Sequence, residues 1–412
     1  MISVHELVRR EIALRERHNI QLTLLGICPT SEAVLAASVK VAARSNTPML
    51  FPATLNQVDR DGGYTGLTPA EFVKKLDSYR SKYNCQSPLY PCLDHGGPWL
   101  KDRHSLDRLS IAETMEEVKK SLTACLEAGY SLLHIDPTVD RTLPAGTSMP
   151  IELVVERTVE MIVHAETERV RLGLPPISYE VGTEEIHGGL VNLDAFRKFV
   201  RDLRVELEAR GISAWPCFIV GRVGTDMHTT YFDPESARLL YEIVAPLGSL
   251  VKGHYTDWVS NPEEYPPSGM GAANIGADLT QQEYLALADC YKFEMDMLRG
   301  RPTREASRIL EALETAVFES DRWRKWLLPG EENIPFQHLD AERKTWLIHS
   351  GARYIWTDAR VVEARETLYD NLSTILTDPN EYIIDRIAQR IDDYIRAFHL
   401  FDALTLIGSE LT

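Results

Sequence analysis

From about residue 20 to residue 300 the chain repeats one pattern. A short apolar run is followed by a polar loop and then by a stretch with apolar residues every three or four positions. The first run covers residues 22–28, and its helix opens at Ser31 and Glu32 and ends near Ser45. The second covers 49–55 and leads through Asp61-Gly62-Gly63-Tyr64 to a helix starting at Thr68-Pro69, with Glu71 completing a capping box. The third contains Leu89, Tyr90, Cys92 and Leu93, with a helix over 112–128 stopped by Gly129. Further runs at 132–136, 177–184, 215–223, 249–255 and 272–279 precede helices over 150–171, 193–210, 233–245 and 281–298, the run at 249–255 having no assigned helix. Eight strand units in one direction predict an α/β fold, a TIM (β/α)8 barrel over residues 1–300. An open doubly wound sheet is the alternative, and no Gly-x-Gly-x-x-Gly turn follows the first run.

Beyond residue 300 the period changes. Leu310, Leu313 and Val317, then Val362, Leu368, Leu372 and Ile375, then Ile383, Ile384, Ile387, Ile391 and Ile395 fall at helical spacing. Residues 301–412 are therefore read as a helical extension packed on the barrel, with Trp323, Trp326 and Trp346 as buried apolar mass.

Composition narrows the function. With 44% apolar and 25% charged residues the chain is an ordinary globular protein, and its net charge of −17 argues against nucleic acid or anionic membrane as partner. No apolar run approaches the ~18 residues of a membrane span. The first 17 residues carry Glu6, Arg9, Arg10, Glu11, Arg15 and Glu16, so no secretory peptide is read. The six cysteines form no Cys-x-x-Cys pair, which points to reduced thiols and a cytoplasmic setting.

In a barrel, chemistry gathers where strands end. The second run ends in Asn56 and Gln57, the third in Asp94 and His95, and the fourth in Asp136. The fifth offers Glu180 and Glu184, and the sixth leads through Asp226 to His228. The seventh carries Lys252, His254 and Asp257, and the eighth Asn274 and Asp278. Three histidines at separate strand ends, with acids beside them, suit a divalent metal, most simply zinc. A carboxylate next to such a metal can serve as acid or base while the metal polarises a carbonyl. Asp94 is placed for that role. Neighbours on a strand face opposite ways, so Asp94 and His95 share a site only where strand gives way to loop, and Gly96-Gly97 permits that. His134, inside its run, reads as a core histidine with a fixed tautomer. Tyr64 in its glycine loop reads equally as a lid or as a plain turn, and Lys252 is a lesser candidate for a Schiff base. Asn56, Gln57, Tyr64, Lys252, Asp257 and Asp278 are candidate substrate contacts.

Five ordered stretches resemble a known family. They are Asn56-Gln57-Val58 with Gly62 to Phe72, Asp94-His95-Gly96-Gly97-Pro98, His134-Ile135-Asp136, Ser178 to Glu184, and Gly253-His254-Tyr255-Thr256-Asp257. Together they look like the accessory, so-called non-catalytic, subunits of class II tagatose-bisphosphate aldolase, a family once labelled tagatose 6-phosphate kinase. The resemblance implies a barrel related to zinc-dependent ketose-bisphosphate aldolases. It implies Asp94 as proton donor, His95, His228 and His254 as metal ligands, and Asp136, Glu180 and Glu184 as supporting or second-cation groups.

Two departures bear on substrate. Catalytic class II aldolases carry a His-Gly-Ala-Ser type phosphate loop where this chain has Gly253-His254-Tyr255-Thr256. They also carry an asparagine-bearing stretch on the last strand, where Asn274-Ile275-Gly276-Ala277 stands here. A less phosphorylated substrate is therefore expected. No nucleotide-binding loop or kinase signature is present. Two readings remain: a metal-dependent enzyme cleaving or epimerising a ketose, ketose phosphate or sugar acid, and a non-catalytic subunit stabilising a partner aldolase in an oligomer.

Overall fold

The apolar runs become eight parallel strands in a computed structural model that describes residues 2–144, 147, 149–182, 192–299 and 304–409. They are β1 (Leu24–Ile27), β2 (Met49–Thr54), β3 (Leu89–Gly96), β4 (Leu132–Ile135), β5 (Ser178–Gly182), β6 (Phe218–Val220), β7 (Leu250–Gly253) and β8 (Met270–Ile275). They close in sequence order, with β8 pairing β1, into the expected TIM barrel. Both faces of each strand are covered, the inner by the barrel core and the outer by helices, so the strands read as continuous apolar runs rather than alternations.

Boundaries differ where burial continues past a strand. The apolar run over 272–279 is strand only as far as Ile275, and a helix begins at Ala277. Ala277, Asp278, Leu279 and Thr280 are all buried at the barrel mouth, so burial does not mark the change from strand to helix. The helix Val4–His18, assigned to no element above, closes the opposite end. Its His5 amide donates to Ser178 Oγ (2.9 Å), and Arg15 donates to the Pro266 and Pro267 carbonyls (2.7 Å each). Glu11 interrupts its apolar stripe of Val4, Leu7, Val8 and Leu14, which is why the period was hidden.

The extension is helical and lies on the barrel. Helix Pro379–Ala397 buries Ile383, Ile384, Ile387, Ile391 and Ile395 against helices Glu32–Ser45 and Ala277–Leu298. Each such side chain contributes roughly 1.5–3 kcal/mol. Lys40 bridges to Glu381 (2.7 Å) and Asp385 (2.5 Å), and Arg390 to Asp278 (2.7 Å). Earlier in the extension, residues 322–357 cross the C-terminal mouth. Arg322 and Lys325 both reach Asp102, and Thr357 Oγ1 donates to the Tyr64 carbonyl (3.3 Å). The Tyr64 loop is thus tied down by the extension. Among the described residues no helix is long and apolar enough to cross a membrane, and all six cysteines are free thiols.

One buried acid couples folding to pH. Glu283 is 2% exposed, with Ser31 Oγ donating to it, and burial pushes its carboxyl up to about 7 against the smaller pull of that hydrogen bond and of Arg365. A raised folded-state pKa contributes stability below the unfolded value of ~4.3, and that stability is lost as pH rises to the folded value. Glu283→Gln is therefore expected to gain roughly 2–3 kcal/mol over wild type between about pH 5 and pH 8. Urea unfolding across that range checks it, and parallel curves would contradict it.

Candidate metal centre

β3 ends in a turn that sets the site. His95 takes a left-handed conformation (φ +49°), and the β3–β4 register shifts between Leu93 and Gly96. This reversal turns two consecutive side chains, Asp94 and His95, toward one point. A non-glycine residue there is held by its surroundings. The His95 amide donates to His134 Nδ1 (3.1 Å), and His95 Nδ1 lies 2.6 Å from Asp136 Oδ2. Gly97 lets β3 close on β4, because a Cβ there would lie 1.6 Å from the Asp136 carbonyl oxygen.

The Asp136 contact places the His95 proton on Nδ1 and leaves Nε2 facing the barrel axis, the arrangement seen where a carboxylate orients a metal-binding imidazole. From the end of β7, His254 brings Nε2 to 3.0 Å from Glu180 Oε1 and 3.6 Å from Asp94 Oδ1. One atom each of Asp94, His95, His134 and His254 lie within 4.8 Å of one another. Imidazole nitrogens converging with carboxylate oxygens are a donor set for a divalent cation. His134 plays a different part from His95 and His254, since its Nδ1 lone pair is already engaged by the His95 amide.

Charge is compensated below this cluster. Lys252 and Glu180 have no exposed surface and pair at 2.6 Å. Burial alone would raise Glu180, but Lys252, then His134 and His254, bring it down to about 2. Lys252 is held above its ordinary value by Glu180 and Asp94 against its burial, so it is an ammonium rather than a nucleophilic amine. Burial would also raise Asp94, yet His95 and then His254 hold it well below the usual carboxylate range. His95 is raised to about 9 by Asp94 and Asp136 despite burial, while burial lowers His254 to about 4.

Above the cluster is a cavity of about 360 Å³, with Asp94, His95 and His254 in its lining. Asn56, Gln57, Tyr64 and Asp257 also line it, but their polar groups are largely engaged. Asn56 bridges the Leu100 carbonyl and Asp102 amide (2.8 and 2.9 Å), and Gln57 accepts from the Thr54 amide (2.7 Å). Asp257 Oδ1 accepts from the Gly276 and Asp278 amides (2.8 and 2.7 Å). Lys252 and Asp278 do not line the cavity, and Asp278 is taken by Arg390 and the Tyr394 hydroxyl (2.8 and 2.7 Å).

His228 is not brought to the cluster. The Asp226 carboxylate accepts from the His228 and Thr229 amides (2.6 and 2.7 Å), and this turn lays the ring against Trp346, centroids 4.9 Å apart. Glu184 lies outside the described residues. Two cavity residues are absent from the substrate contacts expected from sequence, Asn274, although the eighth run carries it, and Arg353. Asn274 is 4% exposed with both amide atoms unpartnered, a sign of a polar ligand, and its place on the last strand was the available signal. Arg353 comes from the extension, where no strand-end argument reaches.

Residues 9–392 match the family model described as D-tagatose-1,6-bisphosphate aldolase subunit GatZ/KbaZ-like. Among solved structures, the chain is similar to a probable tagatose 6 phosphate kinase from Sinorhizobium meliloti 1021. The identity is 21%, covering 91% of this chain and 100% of that one, with a TM-score of 0.75. It is similar to a fructose-bisphosphate aldolase from Campylobacter jejuni at 10% identity, covering 97% and 94%, with a TM-score of 0.55. Against the YdjI aldolase from Escherichia coli K12 the figures are 11%, 96%, 97% and 0.51. At these identities the structural likeness establishes a shared fold.

The Lys252–Glu180 pair gives a stability prediction. Lys252→Met leaves Glu180 buried without its cation and is expected to cost about 3–5 kcal/mol in chemical denaturation, most of it regained when Glu180→Gln is added. A single variant within about 1 kcal/mol of wild type would contradict the burial argument.

Proposed function

The chain belongs to the GatZ/KbaZ-like family of D-tagatose-1,6-bisphosphate aldolase subunits, and from that premise we propose that it is a divalent-metal protein acting on a ketose, ketose phosphate or sugar acid. The reaction is aldol cleavage or epimerisation. The observation that carries this reading is the convergence of the Asp94, His95, His134 and His254 donor atoms within 4.8 Å beside a cavity of about 360 Å³.

His95 Nε2 and His254 Nε2 would hold the ion, taken here as zinc, with Asp94 or Glu180 completing the set and a position left open toward the cavity. Bound there, the ion would supply Lewis acidity at a substrate carbonyl. The chain's own groups do the rest. Asp136 fixes the His95 tautomer. Asp94, ionised and at the cavity lining, is placed to move a proton at the carbon or hydroxyl next to that carbonyl. Asn274, with both amide atoms unpartnered, is available to a substrate oxygen. Lys252 keeps Glu180 charged beside His254, whose Nε2 faces Glu180 Oε1 and would give its lone pair to the ion in place of that contact.

Elemental analysis of purified protein is expected to give about one zinc per chain, lost in His95→Ala and His254→Ala and kept in His228→Ala. Asp136→Asn is expected to weaken zinc binding about 10–100-fold. Because the ion displaces a proton from a raised His95, affinity is expected to rise with pH up to about 9. Metal-free wild type, or zinc retained in His95→Ala, would contradict the reading.

The family description, an aldolase subunit, also fits a second reading, a non-catalytic subunit that stabilises a partner aldolase. Native mass spectrometry of the chain co-expressed with a class II aldolase chain tests it. A stable hetero-oligomer whose activity is unchanged by Asp94→Asn supports the second reading, and activity lost with Asp94→Asn supports the first.

A further inference from the structure

Helix N-termini commonly receive phosphate groups, because their first amides are free. In this barrel the N-terminus beside the cavity is closed by the chain itself. Asp257 Oδ1 takes the Gly276 and Asp278 amides at the start of helix Ala277–Leu298, where an oxyanion would otherwise sit.

Most of the positive charge in the cavity lining comes from the extension, with Arg141 as the one arginine or lysine that the barrel supplies among the described residues. Arg353, in the turn Ala352–Tyr354, is 8% exposed and lines the same cavity as Asp94 and His254. Its guanidinium lies 4.6 Å from the Trp326 ring centre and 5.0 Å from that of Tyr354. Its Nη2 is buried with no hydrogen-bond partner, and among the described residues no carboxylate lies within ion-pair distance. Tyr354 and Asp257 compensate the guanidinium only in part, and a buried nitrogen left without an acceptor is costly unless a ligand completes it. Stacking on aromatic rings holds the planar fork in place and leaves its edge for a bidentate oxyanion. Arg322 lies 4.2 Å from the Tyr354 ring centre, and its Nε is likewise buried and unpartnered. Arg322 and Lys325 share one acid, Asp102, so among the described residues Arg322, Lys325 and Arg353 have one carboxylate within ion-pair distance between them, in a chain of net charge −17.

We propose that Arg353, with Arg322 and Lys325, forms the oxyanion site of this cavity. The substrate is then a sugar derivative bearing a phosphate or carboxylate, with the anion under the extension and the carbonyl toward Asp94, His95 and His254. The placing of the carbonyl rests on the function proposed above, whereas the anion site does not. The cavity volume falls within the range of small-molecule pockets, about 300–1,000 Å³.

The test is calorimetric titration of the full chain with inorganic phosphate and with acetate, with Trp326 fluorescence as a second readout. Saturable binding of about one anion per chain is expected, weakened at least about tenfold by Arg353→Gln and about 2–5-fold by Lys325→Ala. Lys325 is exposed, so its variant carries the test if Arg353→Gln does not fold. Preference for phosphate assigns a phosphorylated sugar, and preference for acetate a sugar acid. His95→Ala is expected to lose zinc and keep the anion. A wild type without metal that still binds anion through Arg353 supports this inference and removes the metal reading. No saturable binding of either anion, or wild-type affinity in folded Arg353→Gln or in Lys325→Ala, overturns it.

Discussion

The left-handed turn at His95 is the constraint on which the barrel mouth depends. A strand presents neighbouring side chains to opposite sides, and only this reversal lets Asp94 and His95 serve one point. It is held from two directions, by His134 on the amide and by Asp136 on the ring. Gly97 makes room for both, since any side chain there would strike the Asp136 carbonyl. The motif Asp-His-Gly-Gly is therefore a packing solution before it is a chemical one.

Beneath that turn a line of charge runs through the barrel interior: Lys252, Glu180, His254, Asp94. Lys252, Glu180 and Asp94 are buried, Lys252 compensates Glu180, and the largely neutral His254 ring links Glu180 to Asp94. Such an interior is expensive to build and strongly destabilised by loss of one partner. Its use here is positional. Lys252 keeps Glu180 ionised, Glu180 orients His254, and the ring meets Asp94 and His95 at the cavity. Stability and site geometry thus depend on the same side chains.

Much of this was legible in the sequence. Eight apolar runs gave the barrel, because parallel strands covered on both faces carry no polar alternation. The Thr68–Glu71 box appeared where its spacing placed it. Asp94, His95 and His254 were visible as the polar ends of those runs, and the structure brings them together. His228 also looked like a strand-end ligand, but the Asp226 turn rotates it onto Trp346, a residue far along the chain that no local period reveals. His134 reads as a core histidine either way; only the fold shows that its lone pair holds the His95 amide. Helix Val4–His18 was hidden by Glu11, a buried acid in its apolar stripe.

Arg353 is the sharpest case of information held only in three dimensions. Nothing in its neighbourhood in sequence marks it, yet the extension carries it over a mouth that includes Asp94 and His95, more than two hundred residues earlier in the chain. The extension also secures the Tyr64 loop and leaves unpartnered guanidinium nitrogens lining the cavity. Barrel and extension together line the cavity: the strand ends bring the Asp94, His95 and His254 side chains, which we propose hold a cation, and the extension brings Arg322, Lys325 and Arg353, which we propose hold an anion. The most direct test of that claim is an anomalous-scattering map at the zinc edge from crystals grown with zinc. A single peak within bonding distance of His95 Nε2 and His254 Nε2 is predicted. A peak on His228, or none near Asp94, would contradict the account.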